Sequence, residues 1–155
     1  MTGIDETDRK ILHALQENAK LTTKELADKA NLSPSPTFER QKRLEREGYI
    51  EKYVALVDPR KVGNGFLVFC NIRLKQQNRQ CATDFVETVQ GIEEVTECYN
   101  ISGDYDYIMK VYVRSMAHYQ DFVLNTLGAI ESVGSFQSIF AIDRVKSSHI
   151  VPVVV

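Results

Sequence analysis

Disulfides and metal sites are the first features that the sequence argues against. It holds no tryptophan and only three cysteines, Cys70, Cys81 and Cys98, which lie far apart and form no C-x-x-C pair. An odd number of scattered cysteines is typical of free thiols in a reducing compartment. The three histidines complete no zinc-binding pattern with them. We therefore expect free thiols, no metal and no cofactor.

A long hydrophobic run is also missing. No apolar stretch approaches the ~20 residues needed to span a bilayer, and residues 1–6 lack the basic and apolar parts of a signal peptide. The sequence thus predicts a cytoplasmic protein without a membrane partner. Its 155 residues, of which 43% are hydrophobic and 26% charged, suffice for one large domain or two small ones.

The chain lacks a strong charge of either sign. The formal net charge of −2 argues weakly against nucleic acid as a partner. The distribution is uneven, however, because residues 1–60 hold 11 basic and 11 acidic side chains, whereas residues 61–155 hold 8 and 10. Within residues 33–46, four basic side chains accompany only two acidic ones. That local excess is where a phosphate backbone would dock.

The first part of the chain has helical periodicity. Thr22 and Glu25 form a capping box at the start of one predicted helix. The helix before it is indicated by a stripe at i, i+4, i+7, i+8 and i+11 that is apolar except for one aspartate and consists of Ile4, Asp8, Ile11, Leu12 and Leu15.

A third helix follows after a turn of a few residues. Ser33 is a suitable N-cap, Pro34 and Pro36 fall in the first turn, and Gly48 stops the helix near Glu47. Three short helices, the last two joined by a tight turn, predict a helix-turn-helix domain of the winged-helix type over residues 1–48.

The second part of the chain alternates strands and helices. Residues 58–65 carry the strongest turn signals, and residues 49–57 before them alternate as a strand does, so residues 49–65 are predicted to be a strand linker. Residues 66–155 then give the order βαββαβ, with strands near 66–75, 94–101, 105–114 and 135–145 and helices beginning near Thr83 and after Ser115. This order predicts a ferredoxin-like domain, and the whole chain is expected to be α+β.

The third helix carries the arginines best suited to DNA. With Phe38 taken as the inward reference, 100° per residue places Arg40 and Arg43 on the opposite, outward face. An arginine fork can bond a guanine edge or a phosphate, and hydroxyls at the helix start can add phosphate contacts. The alternative is a solvated charged face. We predict a DNA-binding set of Thr23, Ser33, Ser35, Pro36, Thr37, Arg40, Lys42, Arg43 and Arg46.

Four segments together resemble the Lrp/AsnC family of bacterial and archaeal regulators. They are DETDRKIL at 5–12, LSPSP at 32–36, ERQKRLEREGYI at 39–50 and SGDYDY at 102–107, in order over nearly the whole chain. Gln41 departs from the pattern, since the family more often has an apolar residue there. The resemblance implies that the third helix lies in the major groove of double-stranded DNA and that the strand after it pairs between protomers. It also implies sheet-mediated dimers that assemble into octamers or similar rings.

The resemblance further implies an amino-acid effector near residues 102–106. Gly103 permits a close backbone approach, neighbouring N–H groups can receive a carboxylate, and Asp104 and Asp106 can accept from an α-ammonium. The alternative is a plain hairpin turn. No histidine or lysine accompanies the two aspartates, so we expect no enzyme. The effector-binding set carried over from the family is Ser102, Gly103, Asp104, Tyr105, Asp106, Met116 and Ser138.

These observations predict a sequence-specific transcription regulator whose DNA binding is modulated by an amino acid. Two-fold dimers of such a protein would read pseudo-palindromic half-sites about one helical turn, or a multiple of it, apart. The alternative is an architectural protein with a metabolite-binding domain and largely non-specific DNA contacts, for which a steep salt dependence without sequence selectivity would be typical.

Overall fold

The computed structural model describes residues 3–155. Contacts divide the chain into two compact units. The helical unit comprises the described part of Met1–Ala55 together with Val145–Val155, and the sheet unit comprises Leu56–Arg144. The α+β fold expected from the sequence is confirmed.

Three helices form the helical unit: α1 at Glu6–Glu17, α2 at Thr23–Ala30 and α3 at Pro34–Arg46. The predicted capping box of Thr22 and Glu25 is present, and a second one, which the sequence analysis did not identify, joins Asp5 to Asp8 at the start of α1. Ser33 occupies the N-cap of α3 without a side-chain bond. Its carbonyl oxygen instead accepts from the hydroxyl of Thr37 at 2.9 Å.

The three helices enclose a small apolar core. It consists of Ile11, Leu12, Ala14, Leu15, Leu26, Ala30 and Leu44, with Ile4, Leu21, Leu32, Ile50 and Val153 packed around it. Val153 belongs to the last segment of the chain, which the sequence placed in the domain at 66–155. That segment is held by Gln16 of α1, whose amide pairs with the backbone N–H and carbonyl of Val151 at 2.6 and 3.1 Å.

The sheet unit follows the predicted βαββαβ order. Its elements are β1 at Phe66–Leu74, α4 at Arg79–Gln90, β2 at Val95–Asn100, β3 at Tyr107–Val113, α5 at Met116–Asp121 and β4 at Val133–Phe140. The strands form one antiparallel sheet in the order β2-β3-β1-β4. After Asp121 the helical path continues through a π turn at Phe122–Thr126 and a 3₁₀ turn at Leu127–Ala129.

Both helices of this unit pack on one face of the sheet. Alternate residues of β1 and β3 point into the core that they enclose, as the burial of both strands shows. The core members are Val68, Cys70, Ile72, Leu74, Phe85, Val89, Tyr107, Met109, Val111, Val113, Tyr119, Phe122, Leu127 and Ile130.

Two predicted element bounds were wrong, and the predicted strand at residues 49–57 stays a prediction. Those residues form no strand in the single chain described, and the resemblance places the pairing partner of that strand in another protomer. α4 begins at Arg79 rather than Thr83, since the side chain of Asn78 caps it by accepting from the N–H of Cys81 at 2.8 Å. β4 ends at Phe140 rather than Val145. The last hydrogen bond between this part of the chain and β1 runs from the N–H of Ala141 to the carbonyl oxygen of Leu67.

Candidate functional site

The rotational setting of α3 differs from the prediction. Thr37 and Leu44 are fully buried, whereas Phe38, the assumed inward reference, is 43% exposed. Thr37 can be buried because its hydroxyl is satisfied by the carbonyl of Ser33. The prediction took Phe38 as the core position. The face that it placed outward is therefore the one that packs against α1.

Arg40 and Arg43 consequently point toward α1 rather than outward. Their guanidinium groups contact the two carboxylate oxygens of Asp8, at 2.9 Å from Arg40 and 2.5 Å from Arg43. Arg40 also binds Asp5 at 2.7 Å. We call these four residues the Asp8 cluster. The sequence contained a signal for it, because Asp8 was the one polar member of an otherwise apolar stripe.

Asp8 is held ionised in this cluster although its exposure is 1%. Burial alone would raise the pKa of its carboxyl group, but the hydrogen bonds from Arg43, the backbone N–H of Asp5 and Arg40 outweigh burial and leave the pKa below its usual value. The hydrogen bonds between a buried carboxylate and two arginines are directional, since each guanidinium group must face the carboxylate oxygen that it binds. The cluster therefore fixes how α3 lies on α1.

The exposed face of α3 is a different set of residues. It presents hydroxyl, carboxylate and cationic side chains together with one proline and a single aromatic ring: Ser35, Pro36, Phe38, Glu39, Lys42 and Arg46. The ammonium group of Lys42 pairs with Glu45 at 2.7 Å and lies 5.7 Å from the centre of the Phe38 ring. Arg46 makes no ion pair with another residue of the described part of the chain.

The predicted DNA-binding residues thus divide into two groups. Ser33, Ser35, Pro36, Lys42 and Arg46 are exposed, and Thr23 is half-buried in the first turn of α2. The other group, Thr37, Arg40 and Arg43, is occupied within the helical unit.

Gln41, the departure from the family pattern, contacts polar groups rather than the core. Its amide nitrogen donates to the hydroxyl of Tyr53 at 3.0 Å and to Glu45 at 3.3 Å. The Tyr53 hydroxyl in turn donates to Glu45 at 2.9 Å. These bonds tie the chain after α3 to the third turn of that helix.

The loop at residues 102–106 joins β2 to β3 and is pinned to the end of β1. Gly103 has a φ of 118°, a conformation that glycine adopts without strain. The guanidinium of Arg73 donates to the carbonyl oxygen of Asp104 and stacks 5.6 Å from the ring centre of Tyr105. Ser102, Gly103 and Asp104 are exposed.

Asp106 is engaged in holding this loop. One carboxylate oxygen accepts from the backbone N–H of Leu74 at 2.7 Å, and the other accepts from Gln77 at 3.4 Å. The Asp104 carboxylate, by contrast, has no hydrogen bond or ion pair with any other residue in the described range 3–155. Of the two predicted ammonium acceptors, Asp104 is therefore the available one.

A separate apolar groove of about 480 Å³ runs between α5 and β4. It is lined by Met116, Tyr119, Gln120, Val123, Leu124, Phe136, Ser138 and Phe140. Met116 and Ser138 thus meet here as predicted pocket neighbours, but residues 102–106 are absent from this lining. A single chain does not bring the two parts of the predicted effector site together.

The floor of the groove holds a buried polar chain that the sequence analysis missed. The hydroxyl of Tyr119 donates to Ser138 Oγ at 2.5 Å and lies 3.2 Å from Cys70 Sγ. Burial, reinforced by Cys70, raises the pKa of Tyr119 well above its usual range, so the phenol stays protonated. Burial likewise raises the pKa of the Cys70 thiol. A tyrosine on the inward face of α5 opposite a cysteine of β1 was the available signal.

The described range, residues 3–155, offers no metal site and no membrane-spanning helix. Over that range no group of three or more His, Cys, Asp or Glu side chains is arranged to hold a metal ion. No helix there is long and apolar enough to cross a membrane.

Comparison with known proteins accounts for both units. Residues 4–51 match the profile of a winged helix-turn-helix DNA-binding domain, and residues 67–151 match that of the Lrp/AsnC ligand binding domain. The chain is 36% identical over 146 residues to the leucine-responsive regulatory protein of Escherichia coli K12, covering 94% of this chain and 89% of that protein. It is 37% identical over 145 residues to the Bkd operon transcriptional regulator of Pseudomonas aeruginosa, covering 94% and 95%.

Solved structures agree with these relatives. A transcriptional regulator of Neisseria meningitidis, crystallised as a complex with L-Met, superposes with a TM-score of 0.93 at 35% identity and covers 97% of each chain. An AsnC family transcriptional regulator from Agrobacterium tumefaciens gives a TM-score of 0.91 at 36% identity, covering 96% of this chain and 97% of that one.

Proposed function

The chain belongs to the Lrp/AsnC family of transcriptional regulators, and from that premise we propose which of its surfaces bind DNA and effector. It is a DNA-binding regulator with an amino-acid ligand-binding domain, not an enzyme. We further propose that it acts in the cytoplasm. We take residues 1–48 as the DNA-binding domain, residues 49–65 as the linker and residues 66–155 as the effector-binding and oligomerisation domain. The last segment of the chain, Val145–Val155, packs within the helical unit.

The exposed face of α3 is the surface that enters the major groove of double-stranded DNA. The observation that carries this assignment is the Asp8 cluster, because it turns Arg40 and Arg43 inward and leaves Ser35, Lys42 and Arg46 outward. Residues at the N-terminal half of such a helix reach base edges, while cations further along reach phosphates. Thr23 and Ser33 lie at the starts of α2 and α3, where hydroxyl and N–H groups suit phosphate contacts.

The effector is an amino acid whose two ends contact different parts of the sensing domain. The residues 102–106 loop offers the free Asp104 carboxylate for the ammonium group, and the positive φ of Gly103 leaves its backbone open to a carboxylate. The groove beside Met116 and Ser138 suits an apolar side chain. The loop and the groove do not meet within one chain. The complete site therefore combines the loop of one protomer with the groove of another.

Self-association is therefore part of the proposed function. The sheet face opposite α4 and α5 carries the side chains that alternate with the core, among them Leu67, Phe69, Ile108, Tyr112 and Ile139. Ile139 is 44% exposed. A dimer through this face, and an octamer or similar ring built from dimers, would bring loops and grooves of different protomers together.

The test is fluorescence anisotropy with the full-length protein and a labelled duplex from upstream of its own gene. A scrambled duplex of the same length is the competitor, and titrations are run with and without a mixture of amino acids. We expect selective binding that shifts with the mixture. Asp104→Ala should abolish the shift and spare DNA binding, whereas the matched exposed control Glu87→Ala should retain both.

The contrary results point to different errors. Binding that is equal on both duplexes and falls steeply with salt would replace this proposal by the architectural alternative. A normal shift in Asp104→Ala would remove that carboxylate from the effector site.

A further inference from the structure

We propose that Phe38 reads the C5 methyl group of a thymine in each half-site and is thereby a specificity-determining residue of this regulator. The inference rests on the proposed placement of α3 in the major groove. It concerns the one aromatic ring on the exposed face of α3, where the other side chains are those of Pro36 and of residues with hydroxyl, carboxylate or cationic groups.

The ring of Phe38 is exposed on the recognition helix. Phe38 is 43% exposed in the second turn of α3, and the comparably exposed Phe66, Phe136 and Phe140 all lie in the sheet unit. The core of the helical unit takes Leu44 from α3 and does not include Phe38. Burial in that core therefore does not account for the aromatic side chain at this position.

The residues around the ring suit contact with a base pair and with the phosphate beside it. Ser35 lies one turn before Phe38 on the exposed face, and Lys42 lies one turn after it, with its ammonium group 5.7 Å from the ring centre. A cation above the ring can reach a phosphate while the ring edge points into the groove. Exposed residues near the N-terminus of the second helix of a helix-turn-helix are those that contact bases.

Only one base offers an apolar partner in the major groove. Thymine presents its C5 methyl group, whereas cytosine carries only a hydrogen atom at C5 and lacks that apolar contact. Arg40 and Arg43, which could have read guanine, are held by Asp8. Selection of thymine by Phe38 thus rests on burial of the methyl group.

The experiment removes the methyl group without changing base pairing. Full-length protein is used to select duplexes from a random-sequence pool, and one recovered sequence is amplified with either dTTP or dUTP. The uracil duplex differs from the thymine duplex only in lacking the methyl groups. Burial of one methyl group is worth about a 4-fold change in affinity, so we expect the wild type to bind the uracil duplex at least about 4-fold more weakly.

Variants assign that loss to the ring. Phe38→Ala should bind both duplexes with equal affinity, and Phe38→Leu should retain part of the discrimination. Lys42→Ala, on the same face, should weaken binding to both duplexes equally and leave the ratio unchanged. Melting curves from circular dichroism check that each variant is folded, and Phe38→Leu carries the comparison if Phe38→Ala is not.

Equal affinity of the wild type for both duplexes would overturn the inference, as would undiminished discrimination in Phe38→Ala. Either result leaves the proposed function standing, because the wild type would still have selected a sequence. A wild type that enriches no sequence from the pool would overturn the proposed function, and the inference with it.

Discussion

The two units bury polar side chains in contrasting ways. The helical unit places a charged carboxylate, Asp8, at the edge of a small core and matches it with two arginines. The sheet unit places a neutral chain, Cys70–Tyr119–Ser138, at the edge of a larger core. An ion-paired carboxylate fixes the orientation of the helices it joins, and its contribution to stability depends on pH. A chain of neutral hydrogen bonds orients its neighbours less strongly and depends less on pH. The unit that must present one face of a helix to DNA is the one held by charge.

The largest effect we expect comes from breaking the charged contact. Asp8→Ala leaves Arg40 and Arg43 without their shared partner, and removing one member of a buried ion pair costs about 3 kcal/mol or more. Urea unfolding followed by far-UV circular dichroism measures the loss. Asp5→Ala is the comparison variant, because Asp5 is exposed, binds Arg40 and caps α1 by accepting from the N–H of Asp8. It should cost about 1 kcal/mol, the usual value of a lost N-cap, and so clearly less than Asp8→Ala. Equal losses in the two variants would mean that the burial of Asp8 contributes nothing special.

Acid should separate the two units. The folded pKa of Asp8 lies below its unfolded value of about 3.9, so its contribution is fully present above that value and is lost as pH falls through the folded pKa. The Cys70–Tyr119–Ser138 chain has no group that titrates there. Amide hydrogen exchange from pH 7 to 3 should therefore show α1 and α3 losing protection before β1 and β3.

Asp8→Asn isolates this effect from the other carboxylates of the helical unit. The variant should be less stable than the wild type at neutral pH, and the difference should shrink as pH approaches 3. A difference that stays constant with pH would contradict the assignment of the acid response to Asp8.

The smallest effect should come from the neutral chain. Tyr119→Phe removes a hydroxyl that bonds Ser138 and contacts Cys70, and a buried neutral hydrogen bond is worth about 1 kcal/mol. Tyr49→Phe, at an exposed position after α3, is the control and should be nearly neutral. A loss in Tyr119→Phe as large as that of Asp8→Ala, measured by the same unfolding experiment, would remove the contrast between the units.

Much of the fold was accessible from the sequence because it depends on local signals. The capping box of Thr22 and Glu25, the stop at Gly48 and the alternation of β1 each specify an element from neighbouring residues. The four-segment resemblance supplied the family in the same way, and the comparisons confirmed it.

The facing of α3 was not accessible in this way, since it depends on residues more than 30 positions away. Arg40 and Arg43 look the same in sequence whether they face DNA or a carboxylate of α1, and Asp8 decides the matter. The effector site stays a prediction for a related reason, because the residues 102–106 loop and the groove beside Met116 are not joined within one chain. Both sites depend on contacts between residues that are distant in the sequence or lie in different protomers. Local sequence patterns do not reveal such contacts.

The most direct test of the account compares the salt dependence of DNA affinity in two variants. A lost phosphate contact lowers the slope of log affinity against log salt by about 0.9. We predict that Arg46→Gln lowers the slope by about that amount for each half-site bound, whereas Arg40→Gln, measured at a temperature where it is folded, leaves the slope unchanged. A reduced slope in Arg40→Gln with an unchanged slope in Arg46→Gln would show that the ion-paired face of α3 is the one that meets DNA.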